Sequence, residues 1–510
     1  MTPARPVPDV TDLSAATVLV AGAGVTGVDA AQTLVEAGAA VTVVDSRAPG
    51  GETGAQLAAL GVTVVDPDTA QPRIPAADLV VTSPGWRPDN PLARAAAQAG
   101  VPVWGDVELA WRMDAAGVFG PPRTWLAVTG TNGKTTTVGM LEQMLRADGR
   151  AAVACGNIGL PVLAALRATP RIDVLAVELS SFQLHWAPSL TPAAGVVLNI
   201  AEDHLDWHGD LTAYAAAKAR VLRGAVAVLP TGDDPAAHLA DTAAGRLVRF
   251  GLEPPAAGDF GVDDGRLRDR AFAVGDAAAD LAATADVTPA GPAGIADALA
   301  AAALARSIGA SAESIAAGLA RFQTGPHRAQ TVARIDRVTY VDDSKATNPH
   351  AARGSILGRG PVVWIAGGLL KGADVDDLVA EAADQLRAVV LLGRDRAQLA
   401  EALARHAPQV PVVDIATGED EGRGPTGPET EAQMGRDGAL RALTDPGRPA
   451  PVAAADGPAA MRVAVAAARR LAGPGDAVVL APAAASLDMY PDYIARGRAF
   501  ADAVQAQETP

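Results

Sequence analysis

The chain has little cysteine, few aromatic side chains and no long apolar run. Its one cysteine, Cys155, excludes an internal disulfide and is typical of a reducing compartment. Aromatic residues make up only 4% of the chain, so its cores must be built largely from alanine, valine and leucine. No apolar run reaches the roughly 18–20 residues of a membrane span, and the proline-rich, acidic N-terminus does not resemble a signal peptide. We therefore expect a cytoplasmic protein.

Basic residues are also outnumbered. The chain holds 42 lysines and arginines against 58 acidic residues, a net charge of −16. This balance argues against a protein that coats nucleic acid or an anionic membrane, although a single nucleotide can still bind in a local basic pocket. A length of 510 residues exceeds what one core supports, so two to four domains are expected.

One segment combines a strand, a glycine-bounded turn and the start of a helix. The apolar run 125–129 leads into Gly130-Thr-Asn-Gly133, then Lys134 and three threonines, and then apolar residues at helical spacing. This order is typical of a phosphate-binding loop, in which backbone N–H groups at the helix N-terminus face an anion. Lys134 would contact the outer phosphates and the hydroxyl of Thr135 would bind Mg²⁺. The sequence thus predicts binding of a nucleoside triphosphate.

A second glycine-rich loop lies near the N-terminus. A predicted strand over 17–21 leads into Gly22-Ala-Gly-Val-Thr-Gly27, and the strand over 41–44 ends in Asp45, eighteen residues beyond the last glycine. This spacing satisfies the dinucleotide fingerprint, so an NAD-dependent oxidoreductase is one alternative. The glycines also suit another diphosphate. The phosphate loop at Gly130 favours a different diphosphate ligand over NAD, because hydride transfer by an oxidoreductase needs no triphosphate.

Strands and helical segments alternate along the chain, which predicts an α/β fold with doubly wound, mostly parallel sheets. Further strands are predicted at 79–82, 174–177, 195–198, 337–341, 362–366, 388–392 and 477–480. Ligands bind beyond the carboxyl ends of such strands. Polar residues gather there: Glu178 follows one strand, Asp203 and His204 follow the next, and Asp343 follows a later one.

Eight motifs occur in the same order as in a known family. They are Gly130-Thr-Asn-Gly-Lys-Thr-Thr, Glu178-Leu-Ser-Ser-Phe-Gln, Asn199 to His204, Tyr214 to Lys218, His327-Arg328, Asp343-Ser-Lys-Ala-Thr-Asn348, Gly367-Gly368 to Lys371, and Ser486-Leu-Asp to Gly497. With them the chain resembles the Mur ligases, ATP-dependent enzymes that form amide bonds in peptidoglycan synthesis. The Asp-Ser-Lys-Ala-Thr-Asn and Ser-Leu-Asp segments are similar to those of the members that add D-glutamate. The Asn-Pro-Arg signature of members that add a diamino acid does not occur.

The resemblance implies three α/β domains. Residues 1–121 would form a Rossmann-like domain for the UDP end of a sugar nucleotide, 122–323 a central P-loop ATPase-like domain with a mostly parallel sheet, and 324–510 a Rossmann-like domain for an amino acid. The glycine- and proline-rich segment 417–451 is expected to be a flexible insertion. The implied enzyme joins D-glutamate to UDP-N-acetylmuramoyl-L-alanine through an acyl phosphate, with ATP and two Mg²⁺ ions. It would be a cytoplasmic monomer without nucleic-acid or membrane partners.

The resemblance also implies site residues. Those expected to bind ATP are Gly130, Thr131, Asn132, Gly133, Lys134, Thr135, Thr136, Arg328, Asp343 and Lys345. Those expected to bind the UDP substrate are Gly24, Val25, Thr26, Ser46, Arg47, Ser83, Gly85, Asn157 and His204. Those expected to bind D-glutamate are Thr347, Lys371, Ser486, Leu487 and Tyr493. The expected metal ligands are Thr135, Glu178, His204 and Lys218, and the catalytic residues are Lys134, Glu178, His204 and Lys218. Lys218 is expected to be carbamylated, because a bare ammonium group would repel a cation.

The chain departs from the family pattern at four places, one of which is the insertion 417–451, which is longer than usual. The segment Gly291–Asp297 lacks a His-Asn pair that contacts adenine, Tyr493 stands where phenylalanine is common, and Ala481 replaces a frequent serine. None of these changes removes a residue that the chemistry requires. Besides the oxidoreductase, two alternatives stay open: a sister ligase that adds another amino acid, or glutamate to folate, and a non-catalytic nucleotide switch.

Overall fold

A computed structural model of the chain contains three β-sheets flanked by helices. It describes residues 7–46, 50–273, 275, 277–357, 359–417 and 452–507. Arg47 and residues 418–451 of the expected insertion lie outside the described residues. The chain divides into two compact units, one made of Met1–Ile200 and Trp207–Gln323, the other of Ala201–Asp206 and Thr324–Pro510.

The first sheet belongs to the first unit and is parallel throughout. Its strands are β1 (Thr17–Ala21), β2 (Ala40–Val44), β3 (Thr63–Val65), β4 (Leu79–Thr82) and β5 (Val103–Gly105), in the order β3-β2-β1-β4-β5. The accompanying helices are α1 (Val25–Glu36), α2 (Gly51–Ala59), α3 (Pro67–Ala70), α4 (Pro91–Ala99) and α5 (Asp106–Ala115), with a 3₁₀ turn at Gln71–Ala76. The strand order reverses between β1 and β4, and such a reversal opens a crevice at the carboxyl ends of the two strands.

The second sheet also belongs to the first unit. Its strands are β6 (Thr124–Thr129), β7 (Ala152–Gly156), β8 (Val174–Glu178), β9 (Ala194–Val197), β10 (Val226–Pro230), β11 (Arg246–Phe250), β12 (Phe260–Asp263), β13 (Arg266–Asp269) and β14 (Ala279–Ala283), in the order β14-β13-β12-β11-β10-β9-β6-β8-β7. Only β13 pairs with its neighbours in antiparallel fashion.

The helices of this segment follow the same alternation. They are α6 (Lys134–Ala147), α7 (Val162–Arg167), α8 (Ser181–His185), α9 (Leu205–His208), α10 (Leu211–Lys218), α11 (Pro292–Ser307) and α12 (Ala312–Arg321), with 3₁₀ turns at Ala219–Arg223, Pro235–Thr242 and Thr284–Asp286.

The third sheet belongs to the second unit. Its strands are β15 (Gln330–Ile335), β16 (Val338–Asp342), β17 (Val362–Ala366), β18 (Leu386–Leu391), β19 (Val412–Thr417), β20 (Val452–Ala454) and β21 (Ala477–Leu480), in the order β15-β16-β21-β17-β18-β19-β20. Its helices are α13 (Pro349–Ile356), α14 (Asp376–Ala382), α15 (Arg396–His406), α16 (Gly457–Leu471) and α17 (Tyr493–Gln505). All pairs are parallel except β15 with β16.

Small side chains let the helices of the first unit pack closely. Every residue of α11 from Ala298 to Ala305 is buried, as expected for a core that holds few aromatic rings. On α12, Gly318 packs directly against the backbone of Met144 on α6, where an added Cβ would overlap the main chain. The alanine-rich helices therefore cover the phosphate-loop helix at short range.

Buried polar contacts join the first two sheets within the first unit. Arg123 Nη1 lies 2.7 Å from Asp114 Oδ1, both side chains are 2% exposed, and Trp125 Nε1 donates to the other oxygen of Asp114 at 2.9 Å. Gly105 N donates to Trp186 O at 2.9 Å, and a Cβ at Gly105 would lie 2.9 Å from the Cβ of Trp186. The end of β5 is thus held against the chain that follows α8.

The predicted α/β class is confirmed, with three sheets that are mostly parallel. Four predicted strands have the observed bounds: 17–21, 79–82, 362–366 and 477–480. The irregular stretch 231–290 contains short strands, including the hairpin of β12 and β13. Within the described residues, no helix is both long and apolar enough to cross a bilayer.

We predict opposite effects for two glycine-to-alanine changes in helices of the second unit. In Gly497→Ala the new methyl group overlaps the imidazole of His327, which is held by Asp342, so the free energy of unfolding should fall by about 1–3 kcal/mol. In Gly354→Ala the methyl group enters open space and the helix gains backbone rigidity, so the free energy should rise by about 0.5–1 kcal/mol.

Urea-induced unfolding of the full chain measures both changes. Gly354→Ala is the matched control, because it adds the same methyl group to a helix without a neighbouring side chain. Equal stability of the two variants would contradict the close packing of α17 on His327.

Candidate active site

The phosphate loop connects β6 to α6 by a turn that requires glycine. Gly130 and Gly133 have φ angles of +155° and +83°, which side chains of L-residues rarely adopt. A Cβ at Gly130 would also lie 2.9 Å from the Cβ of Leu198. The loop leads into α6, whose first residue is Lys134. The N-terminal end of α6, which carries the positive end of the helix dipole, thus lies at the loop.

Two lysines hold the carbonyl oxygens of this loop. Lys134 Nζ donates to Gly130 O at 2.9 Å and to Thr131 O at 2.8 Å. Lys218 Nζ donates to Gly130 O at 2.8 Å and lies 4.6 Å from the centre of the Tyr214 ring. Lys218 is only 1% exposed. The ammonium group of Lys134 thus lies at one short loop, which favours an anionic ligand there.

Asn199 fastens the same loop from the end of β9. Its Oδ1 accepts from Asn132 N at 2.9 Å, its Nδ2 donates to Asn132 O at 3.2 Å, and its carbonyl accepts from Thr131 N at 3.0 Å. Thr131 Oγ1 and Tyr214 Oη lie 3.1 Å apart. The prediction that polar residues after neighbouring strands gather at the phosphate loop is confirmed for Asn199.

Glu178 ends β8, the strand beside β6, in register with Val128. Its side chain is buried, and Oε1 accepts from Asn157 Nδ2 at 2.9 Å. Its other oxygen, Oε2, has no hydrogen-bond partner among the described residues. A buried carboxylate oxygen without a partner is costly and suits a cation ligand. In the described part of the chain no three His, Cys, Asp or Glu side chains cluster to hold a metal by themselves.

The N-terminal glycine loop lies at the switch point between β1 and β4. Asp45 Oδ2 accepts from Ala23 N at 2.8 Å, so this carboxylate supports the loop. In the dinucleotide fingerprint the corresponding acid contacts a ribose instead. Val25, at the start of α1, is 75% exposed. The Ser83 side chain closes on Gly22, where a Cβ would overlap the hydroxyl. Gly24, the N-cap of α1, is exposed and no side chain of the described residues caps this helix, which suits a diphosphate at its N-terminal end.

Asp297 is a site residue that the motifs did not single out. It lies on α11, is 8% exposed, and its carboxylate touches Gly133 at the phosphate loop, where an added Cβ would overlap it. The sequence signal was indirect: the segment without the family's His-Asn pair ends at this aspartate. Only the packing of α11 on α6 identifies its position.

In the second unit, three loops at the ends of adjacent strands meet. β16, β21 and β17 are neighbours in the sheet. Leu369 after β17 exchanges both backbone hydrogen bonds with Ala485 after β21, at 2.9 and 2.8 Å. Arg496 on α17 is 1% exposed and donates to Ser344 O at 2.9 Å and to Ala484 O at 3.0 Å. The three loops meet, as predicted, and their role as one ligand-binding crevice stays a prediction.

Two residues expected to bind ATP in this unit, Asp343 and Lys345, alternate along the chain with the buried residues Asp342 and Ser344. Asp342 accepts from His327 Nδ1 at 2.6 Å and from Ser344 N at 2.9 Å. Next to it, burial raises the pKa of Asp343, which also accepts from the Ser355 hydroxyl. Lys345 Nζ lies 4.1 Å from the centre of the Tyr493 ring. The buried residues hold the backbone while Lys345 faces the aromatic ring.

A second polar group in this unit surrounds Asp203. Lys371 Nζ lies 3.4 Å from Asp203 Oδ1, and Asn348 Nδ2 and His204 Nε2 each lie 3.5 Å from Asp203 Oδ2. Asn348 also caps α13 by accepting from Ala351 N at 2.8 Å. Lys371 and His204 have positive φ angles of 55° and 56°. Such strain in non-glycine residues is common at binding sites.

The structure therefore brings the expected residues together in groups within each unit. The first unit joins the phosphate loop, Asn157, Glu178 and Lys218, and it separately contains the crevice of Gly24 and Ser83. The second unit joins His204 and Lys371. Ser486 is 3% exposed, whereas Leu487 is 67% exposed.

Two family models match the chain in the expected order. The Mur ligase MurD-like N-terminal domain matches residues 16–105, and the Mur ligase middle domain matches residues 128–305. The first match covers the parallel sheet of β1 to β5, and the second includes the phosphate loop, Glu178, Asn199 and Lys218.

Proteins of similar sequence span almost the whole chain. A UDP-N-acetylmuramoylalanine–D-glutamate ligase from Mycolicibacterium smegmatis is 55% identical over 506 residues, which is 98% of this chain and 99% of that protein. The protein of the same name from Rhodococcus jostii is 55% identical, over 96% of this chain and 95% of its own. That from Mycobacterium tuberculosis is 54% identical, over 98% of both chains.

Solved structures show the same fold at low identity. A pseudomurein peptide ligase type C from Methanothermus fervidus has a TM-score of 0.57 at 16% identity, over 97% of this chain and 100% of that one. A UDP-N-acetylmuramate–alanine ligase from Thermotoga maritima has a TM-score of 0.53 at 17% identity, with the same coverage. Because relatives above 50% identity match nearly end to end and two family models match in order, the chain belongs to the Mur ligase family.

Proposed function

We propose that the protein is an ATP-dependent ligase that joins D-glutamate to UDP-N-acetylmuramoyl-L-alanine in peptidoglycan precursor synthesis. The observation that carries the proposal is the phosphate loop between β6 and α6, with two lysines on its carbonyls and the unpartnered oxygen of Glu178 on the adjacent strand. The near full-length relatives that carry the name of this activity support the choice of substrates.

The chemistry explains why such a loop is needed. A carboxylate does not condense with an amine in water at a useful rate. Transfer of the γ-phosphoryl group of ATP to the alanine carboxylate gives an acyl phosphate and ADP. The amino group of D-glutamate attacks the acyl carbon, the amine loses its proton, and inorganic phosphate leaves as the amide forms. The first step brings two anions together, so positive charge near the phosphates lowers its barrier.

Residues of the first unit would bind the triphosphate. The backbone from Gly130 to Thr136 and the N-terminal end of α6 would contact the phosphates, and Lys134 would exchange its carbonyl partners for the outer phosphates. This exchange is easy for a lysine, because its ammonium group sits on a flexible stem. Arg328, Asp343 and Lys345 are proposed to serve ATP from the second unit.

The residues at this loop fit a Mg²⁺ ion. Glu178 offers a buried oxygen without a partner, and Thr135 offers a hydroxyl at the start of α6. Few protein ligands suffice, because Mg²⁺ usually keeps several waters and takes phosphate oxygens. When bound, the ion would neutralise charge on the phosphates. His204 and Lys218, which the resemblance assigns to a second ion, lie in different units and stay a prediction.

The other two substrates would use the remaining groups. The UDP end of the acceptor would bind at Gly24, Val25, Thr26, Ser46, Arg47, Ser83 and Gly85, and its sugar and lactyl part at Asn157 and His204. D-Glutamate would bind at Thr347, Lys371, Ser486, Leu487 and Tyr493. Lys371 offers a cation for a substrate carboxylate, and Asp203 occupies it in this structure. We further propose a monomer that works in the cytoplasm.

Phosphate release from ATP tests the function. We expect the full-length protein to release phosphate only when UDP-N-acetylmuramoyl-L-alanine and D-glutamate are both present, and to form one amide per phosphate. L-Glutamate, glycine and diamino acids are the matched controls. Turnover with another amino acid would identify a sister ligase. If no amino acid supports turnover, the non-catalytic nucleotide switch is the remaining alternative.

We predict that Lys218 acts as an anion after carbamylation. Lys218→Ala should lose nearly all ligase activity, and short carboxylates such as acetate should restore part of it, because the carbamate supplies a carboxylate-like group. Lys134→Ala is the control, because its role as a cation cannot be restored by an anion. Full activity of Lys218→Ala without added carboxylate would contradict the prediction.

Substitutions of Lys371 and of Lys345 should affect the KM of different substrates, D-glutamate for Lys371 and ATP for Lys345. Lys371→Ala should raise the KM for D-glutamate about tenfold to hundredfold with little change for ATP, since a charge-assisted hydrogen bond contributes about 1.5–3 kcal/mol. Lys345→Ala should raise the KM for ATP instead. Steady-state kinetics with each substrate varied would detect the difference, and an unchanged KM for D-glutamate in Lys371→Ala would exclude the role of Lys371.

A further inference from the structure

An ion pair between two helices of the first unit has no part in the chemistry proposed above. Asp29 lies on α1, and Arg167 is the last residue of α7. Arg167 Nη2 donates to Asp29 Oδ1 at 2.5 Å, while Arg167 Nη1 donates to Asp29 O at 3.3 Å and to the hydroxyl of Thr33. The Asp29 side chain is 9% exposed and that of Arg167 is 18% exposed. The guanidinium group thus holds α1 by two side chains and by its backbone.

Asp29 also caps the start of α7. Its Oδ2 accepts from Ala164 N at 3.0 Å, and Ala164 is the third residue of the helix. The N-cap residue usually supplies such an acceptor, but here it is Pro161, whose side chain has none. A carboxylate also suits the positive end of a helix dipole. One side chain of α1 therefore fastens α7 at its first turn and, through Arg167, at its last residue.

The loop before α7 carries Asn157, which the proposed function assigns to the sugar and lactyl part of the acceptor. Asn157 N donates to Glu178 O, and Asn157 Nδ2 donates to Glu178 Oε1, both at 2.9 Å. Gly156 N closes the loop by donating to Leu160 O at 2.9 Å. The loop 156–161 is thus fixed to Glu178 at one end and continues directly into α7 at the other.

At its other end the ion pair reaches the N-terminal nucleotide crevice. Asp29 lies about one helical turn after Val25, the first residue of α1, and Gly24 is the N-cap of that helix. Both residues are assigned to the UDP end of the acceptor. Asp29 therefore connects the helix that would bind UDP to the helix that follows the Asn157 loop. Buried ion pairs often add little stability compared with apolar pairs, whereas they can fix how two elements pack.

We propose that Asp29 is a positioning residue that sets the distance between the UDP site on α1 and Asn157, so that one acceptor molecule fits both. The inference rests on the proposed function. A ligand held at two sites gains affinity only when their spacing matches its own length, because the second contact then forms within the complex. Without Asp29, α1 and α7 would no longer keep one spacing. The acceptor would lose affinity, but UDP, which needs only α1, would not.

Calorimetric titration of the full-length protein with two ligands tests the proposal. UDP occupies only the site on α1, whereas UDP-N-acetylmuramoyl-L-alanine also reaches Asn157. In Asp29→Ala the Kd of the acceptor should rise about tenfold or more, while the Kd of UDP should stay within about twofold of the wild type. Asp29→Asn keeps an oxygen for Ala164 N but loses the charge that pairs with Arg167. Its effect should be smaller, and it serves if Asp29→Ala does not fold.

Asp269→Ala is the matched control. Asp269 pairs with Arg306 at 2.8 Å and also accepts from two backbone N–H groups, those of Ala271 and Phe272. It lies on β13, toward the opposite end of the second sheet from β7, which precedes the Asn157 loop. Its removal should therefore lower stability in a similar way, as thermal unfolding measures, without changing the Kd of either ligand.

The outcomes separate this inference from the proposed function. Equal weakening of UDP and acceptor binding in Asp29→Ala would show that the ion pair only stabilises α1, and would overturn the inference. An unchanged Kd of the acceptor in Asp29→Ala, or a similar rise in Asp269→Ala, would overturn it too. If the wild type binds the acceptor no more tightly than UDP, or binds neither, the acceptor assignment itself is refuted.

Discussion

The orientation of a few carbonyl oxygens decides what the phosphate loop can bind. Free carbonyls at a glycine-rich turn would repel a phosphate. Here the ammonium group of Lys134 holds the oxygens of Gly130 and Thr131, and Asn199 holds that of Asn132. The loop keeps its shape without a ligand, and Lys134 brings a positive charge to it in a chain whose net charge is −16. A local arrangement thus outweighs the overall charge.

Among the described residues, three of the buried polar atoms without a hydrogen-bond partner lie near the predicted binding sites. Glu178 Oε2 lies on the strand beside the phosphate loop, and Asp106 Oδ1 and Ser83 Oγ lie in one cavity at the nucleotide crevice. Each costs stability, whereas the alanine-rich core around α11 and α12 has small side chains that pack closely. At Glu178 a bound cation could remove this deficit, as expected of a preorganised site.

Much of the fold was predictable because buried parallel strands are continuous apolar runs. The strands 17–21, 79–82, 362–366 and 477–480 were predicted with the observed bounds, since each is a valine- and leucine-rich run. The three-residue strands β3 and β5 were missed, because so short a run has no detectable period. The sequence did not predict the individual strands at the mixed end of the second sheet, β12 to β14. These strands are polar on one face and form only by pairing with their neighbours.

By itself the sequence determined the phosphate loop, the order of the chemical motifs and the α/β class, because these depend on neighbouring residues and on local spacing. Only the tertiary structure decided which distant groups meet. It placed Asp297 against Gly133, Lys218 beneath the loop carbonyls, Asp203 beside Lys371 and Asp106 in the cavity of Ser83. A carboxylate or an ammonium group looks the same in a sequence whether it is solvated or buried. Its charge state and its partners are set by helices and strands that pack around it from far along the chain.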